Sequence, residues 1–166
     1  MKIKHIIALS IALSGTFGAA EARTVYTGKD EMQVIRSLVG TWQAQTSIGV
    51  MTDVFIPFNN GNYVLGEELM NGKQITTTVF YLVNGELRAD HYCDFGNQPR
   101  YTAKPTYDNA TIDFEFRDVT DLDVNPVHFH STTWHLADAT HLTQDWYISG
   151  GLKGEKVIQM NFTKKS

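Results

Sequence analysis

The sequence predicts an all-β fold, a single antiparallel meander β-barrel of about ten strands with a short N-terminal capping helix. Three observations carry the prediction. Apolar and polar residues alternate along most of the chain after residue 40. Asn60-Gly61, Asn71-Gly72 and Asn84-Gly85 punctuate that alternation, and such pairs supply the positive φ values that tight hairpin turns demand. Helical periodicity is confined to one short stretch near the start. A meander with no layer of helices to cover it is stabilised by closing on itself, which removes its open edges.

The chain opens Met1-Lys2-Ile3-Lys4, continues through an apolar run from Ile6 to Phe17, and reaches Ala20-Glu21-Ala22, a small-x-small pattern of the kind a signal peptidase cuts. The run of about a dozen apolar residues is too short to cross a hydrocarbon core of about 30 Å as a helix. Residues 1–22 are therefore expected to be a signal peptide, and 23–166 a single periplasmic or secreted domain with no membrane span. Removing Lys2, Lys4 and Glu21 from the 14 basic and 18 acidic residues leaves a net charge of about −5. No basic patch is visible, which argues against nucleic acid as a partner. Cys93 is the only cysteine, so no internal disulfide forms.

In the mature chain, Asp30-Glu31-Met32-Gln33 has the spacing of a capping box. Val34, Ile35, Leu38 and Val39 then share one helical face, and Gly40 can end the helix. Strands follow at 41–49, 51–57, 62–70, 73–83, 86–94, 99–106, 110–117, 127–137, 140–149 and 154–163. Asp108-Asn109, Ala137-Asp138-Ala139 and Ser149-Gly150-Gly151 supply further turns. The longest connection, 118–126, is polar.

Alternation assigns the faces. Ile112, Phe114 and Phe116 oppose Asp113, Glu115 and Arg117; Leu142, Gln144, Trp146 and Ile148 oppose the odd residues of their strand; Ile158, Met160 and Phe162 do the same in the last. The same rule turns His128, His130, Thr132, Trp134 and Leu136 inward, and Leu87, Ala89, His91 and Cys93 with them. The strands at 62–70 and 73–83 do not sort cleanly.

Leu38-Val39-Gly40-Thr41-Trp42, a helix end running into Gly-x-Trp at the first strand, resembles the opening of the calycin barrels: lipocalins, fatty-acid-binding proteins and nitrobindin-like haem barrels. The resemblance implies that Trp42 packs across the closed end of the barrel. The lipocalin pattern also sets a late arginine over that tryptophan, whereas the last arginine here is Arg117. His91-Tyr92-Cys93 through Gly96-Asn97-Gln98-Pro99-Arg100, with His128-x-His130 and His141 to Trp146, resembles a family of secreted lipocalin-like domains without an established activity. The nitrobindin-like comparison implies a haem-ligating histidine near the C-terminus, and no histidine follows His141.

Three chemistries compete for the predicted interior. As a binding pocket, Phe114, Phe116, Trp134, Trp146 and Gln144 with His91, Cys93, His128 and His130 would hold a small hydrophobic or amphipathic ligand, and Arg100 at the rim would meet a carboxylate on it or else cross-link two loops. As a metal site, His128 and His130, two apart on one strand, would join His91 around a transition metal, and a haem- or metal-dependent redox or isomerase barrel is the alternative function. As an enzyme without cofactor, Cys93 drawn toward thiolate by an imidazole would be a nucleophile, and whichever of Glu67 and Glu68 points inward would be a proton acceptor. A completely filled barrel is the plain structural alternative.

Overall fold

The computed structural model describes residues 24–150 and 156–166. The predicted signal peptide, its cleavage site, Gly151 of the last turn, and the first two residues of the predicted strand 154–163 lie outside them. One helix, α1 (Gly28–Ser37), precedes ten strands: β1 (Gly40–Thr46), β2 (Gly49–Phe58), β3 (Tyr63–Met70), β4 (Lys73–Val83), β5 (Glu86–Tyr92), β6 (Pro99–Lys104), β7 (Thr111–Val119), β8 (His128–Asp138), β9 (His141–Ser149) and β10 (Lys156–Lys164). Each strand pairs antiparallel with its sequence neighbours, and β1 pairs with β10 to close the barrel. No helix among the described residues is long and apolar enough to cross a membrane.

The helix starts three residues earlier than its Asp30 box predicts. Thr27 is the N-cap, with extended φ −124° and ψ 176°, and the Asp30 carboxylate, now at N3, accepts the Thr27 backbone N–H at 3.0 Å. Two overlapping boxes, Thr27-x-x-Asp30 and Asp30-x-x-Gln33, were open to the chain. The first allows Gly28 to sit on the β4–β5 hairpin, where a Cβ would lie 2.3 Å from the Leu87 nitrogen. Met32, Ile35 and Leu38 are buried in the barrel core.

Trp42 is fully buried. Its indole Nε1 donates to the Leu38 carbonyl at 2.6 Å, fixing the helix end to the first strand. Lys164 pairs with it across the β1–β10 seam, with Nζ 5.1 Å from the ring centroid and bonded to the Ser37 carbonyl at 3.1 Å. A cation therefore does cover this tryptophan, supplied by a lysine rather than an arginine.

Asn71 and Gly72, with φ 51° and 80°, and Asn84 and Gly85, with φ 53° and 87°, form the tight turns expected of them. Above the helix the barrel is filled by interlocked rings: Trp134 lies 5.9 Å from Phe55, 5.3 Å from Phe80 and 5.9 Å from Phe114, edge-on to each. The expected inner faces of β5 and β9 hold, as do Ile112 and Phe114 of β7 and Met160 and Phe162 of β10, whereas Ile158 is exposed.

The histidine strand departs from expectation. A register shift between Phe129 and Ser131 interrupts the ladder to β9, so the inward parity reverses before that point. Phe129, not His130, packs against the core, and His130 is exposed. Strands β7 and β8 pair only over Thr111–Phe114 and 132–135. Beyond that stretch Tyr101 Oη donates to the Phe129 carbonyl at 2.8 Å.

Candidate functional site

The helix closes one end of the barrel; at the other a cavity of about 440 Å³ enters it. Its mouth is formed by Thr46, Ser47 and Ile48 of the β1–β2 turn, Asp94 and Phe95 after β5, and Ile158 of β10. Met51, Met70, Ile75, Phe129, Trp146 and Met160 line its apolar wall, and Glu68, Thr76 and His91 its polar one. A smaller cavity of about 220 Å³ lies beside α1. The barrel is thus filled toward the helix and hollow toward the far end.

The polar wall is built by strand register. Asp53 of β2 pairs directly with Glu68 of β3, and Glu68 with Thr76 of β4. Two residues on, Thr78 pairs with His91 of β5. All five side chains are buried. His91 is 1% exposed; its Nδ1 lies 2.8 Å from Thr78 Oγ1, its Nε2 has no partner, and its ring packs 5.1 Å from Trp146 and 5.8 Å from Phe129. Burial alone pushes it down to about 4, so the imidazole is neutral at pH 7.

The carboxyls respond oppositely. Burial lifts Glu68 to about 7, with the Thr76 hydroxyl opposing and the Asp94 charge adding to the rise. Burial lifts Asp53 well above the usual carboxyl range, and Glu68 lifts it further. Asp53 Oδ2 accepts from Gln144 Nε2 at 2.8 Å, and Gln144 Oε1 accepts from Trp146 Nε1 at 2.8 Å. This chain of bonds crosses the barrel and fixes the indole that walls the cavity.

Of the residues singled out from the sequence, His91 and Trp146 line the cavity and Gln144 braces it from behind. Phe114 and Trp134 belong to the aromatic plug. Phe116, His128 and His130 gather elsewhere: His128 lies 5.3 Å and His130 5.8 Å from the Phe116 ring, and His128 Nδ1 is 2.9 Å from the Pro126 carbonyl. None of these three lines the cavity, because the bulge in β8 turns Phe129 in where His130 was expected. The expected metal set of His91, His128 and His130 therefore does not converge, and among the described residues no three His, Cys, Asp or Glu side chains do.

Cys93 is buried just beyond β5, its Sγ 3.7 Å from Asp94 Oδ1. Burial first, with the Asp94 and Glu68 charges adding, pushes its thiol up to about 12, the reverse of what a thiolate nucleophile needs. Arg100 forms an ion pair with Asp118, its partner in the β6–β7 ladder, so it ties together two neighbouring strands rather than two loops and does not line the cavity. Glu68 is the glutamate that enters the barrel, whereas Glu67 is not among the buried residues.

Sequence reasoning missed Asp53, Thr76 and Thr78. Met51-x-Asp53-x-Phe55 carries the signal for Asp53, a carboxylate between two inward apolar residues. The two strands that would not sort by alternation, β3 and β4, both carry polar residues facing in, Glu68 on one and Thr76 and Thr78 on the other. Asn97 was also missed: its Nδ2 donates to the Asn125 and Val127 carbonyls at 2.9 and 2.7 Å, clamping the connection before β8.

No family model matches this chain, and no curated protein matches it either.

Proposed function

We propose that this protein is an exported, calycin-like carrier that holds one small hydrophobic or amphipathic molecule in the hollow half of its barrel. The observation that carries the reading is the cavity itself. Its volume of about 440 Å³ falls in the range of small-molecule sites, roughly 300–1,000 Å³. Its wall is mostly methionine, isoleucine and aromatic, with His91 and Glu68 as fixed polar groups on one side. Such a wall takes an apolar body and orients one polar end.

The calycin comparison draws support from Trp42 at the helix-capped end, bonded to Leu38 and covered by Lys164. Export rests on the N-terminal sequence pattern of residues 1–22. The aromatic plug on the helix side supplies the rigidity that keeps a preformed cavity open.

The test compares native and denatured mass of the chain purified without chelators, followed by uptake of phenylnaphthylamine with energy transfer from tryptophan. A carrier shows an organic mass excess or saturable uptake of one probe per chain. Absence of both the mass excess and the uptake would refute the reading, and a bound metal ion or haem would replace it with the redox or isomerase alternative.

A further inference from the structure

Resting on the carrier reading, we propose that the guest is an organic cation, a protonated amine on an apolar body, seated with its ammonium against Glu68.

The charges of the wall point this way. Glu68 and Asp94 line the cavity, and among the described residues no lysine or arginine lines it. His91, the one basic side chain that lines it among the described residues, is held neutral by burial. A carboxylate or phosphate head would therefore meet acidic groups with no countercharge, and its own desolvation would go uncompensated. A neutral hydroxyl would find a hydrogen bond but leave Glu68 without an opposite charge.

A cation answers both needs of the site. Glu68 is 9% exposed and directly paired with the buried Asp53, whose Oδ1 has no partner. Two adjacent buried carboxyls resist ionisation until a positive charge arrives. An ammonium at Glu68 supplies that charge together with N–H donors, and it forms a charge-assisted hydrogen bond in a site shielded from water.

The remaining groups suit the same guest. In the tautomer whose Nδ1–H is donated to Thr78, His91 has Nε2 left as an unpaired buried acceptor. The rings of Trp146 and Phe129, which pack on His91, offer π-faces attractive to a cation. Met51 and Met70 line the cavity for an unbranched or adaptable apolar body.

The experiment varies the head group on one eight-carbon chain. Octylammonium, octanol and octanoate, each below its aggregation concentration, are titrated into the full-length protein at about pH 7.5 by isothermal calorimetry, with tryptophan fluorescence as a second readout. Octylammonium is expected to bind at least roughly tenfold more tightly than octanol, with no saturable binding of octanoate. Glu68→Gln should remove the preference for the amine, octylammonium and octanol then binding the variant within about threefold of each other.

Octanol or octanoate binding as tightly as the amine would overturn the cation inference and leave the carrier reading standing. Persistence of the amine preference in folded Glu68→Gln would also overturn it. Failure of all three to bind would overturn both. The ranking on the unsubstituted protein decides the matter even where the variant does not fold.

Discussion

Replacing Glu68 by Gln isolates the electrostatic strain of the cavity wall. Glu68 is buried, and its carboxyl is raised from 4.5 to about 7. A carboxyl whose folded value lies above its unfolded one gives stability that is full below about 4.5 and is lost as pH rises through about 7. A rise from 4.5 to about 7 corresponds to roughly 3 kcal/mol, most of which is lost between pH 5 and pH 8. Gln keeps the shape and cannot ionise, so its stability relative to the parent should climb by up to that amount across the window. Any fixed cost of burying the amide displaces the difference curve without tilting it. His91 works in the opposite sense, since its lowered value of about 4 gives stability that is full above 6.5 and is lost as pH falls through 4. Glu31, also raised to about 7 by burial and by Asp30 and Asp113, acts in the same direction as Glu68. Both backgrounds are shared by parent and variant and cancel in the difference, whereas Asp53 ionises more readily once Glu68 is gone and adds a smaller contribution. The assay is urea unfolding of guest-free protein, followed by tryptophan fluorescence at several pH values. Parallel stability curves for the two proteins would refute the reasoning, because they would mean that Glu68 ionises as freely folded as unfolded.

The other predictions address the plug, the bulge and the thiol. Trp134→Ala removes the ring on which Phe55, Phe80 and Phe114 converge and should cost roughly 3–5 kcal/mol in chemical denaturation; an unchanged midpoint would mean that this half of the barrel is not close-packed. His130→Ala changes an exposed residue outside the cavity and should alter stability by less than about 1 kcal/mol, with uptake of phenylnaphthylamine unchanged. A tenfold loss of that uptake would put His130 back in the pocket wall. Cys93, buried and held protonated, should react with a disulfide reagent at neutral pH only as fast as the protein unfolds, and stoichiometrically in denaturant. Rapid labelling of the folded protein would contradict its burial.

Most of the architecture was legible in local chemistry. The Asn-Gly pairs set the hairpins because Asn71-Gly72 and Asn84-Gly85 adopt the positive φ values that few other residues tolerate. Alternation found the inner faces of β5 and β9 because apolar burial and strand period coincide there. The site was only partly legible. His91, Trp146 and Gln144 emerged from alternation, whereas His130 is exposed and His128, though buried, packs on Phe116 away from the cavity. The face of Glu68 could not be assigned from its strand, and Asp53, Thr76 and Thr78 went unnoticed, because an inward polar residue looks in sequence like an outward one.

The sequence by itself determined the order of ten strands, the helix before them and the turns between, since each depends on residues a few positions apart. Tertiary structure alone decided which polar residues meet. The bulge that sends Phe129 inward and His130 out depends on how β8 fits β9. The row Asp53, Glu68, Thr76 exists only once three strands take a common register. Whether the barrel is filled or hollow depended on both ends at once. Large rings meet across the helix end, and methionines and smaller side chains leave room at the other. Packing volume is a property of the closed barrel as a whole, and no local stretch of chain contains it.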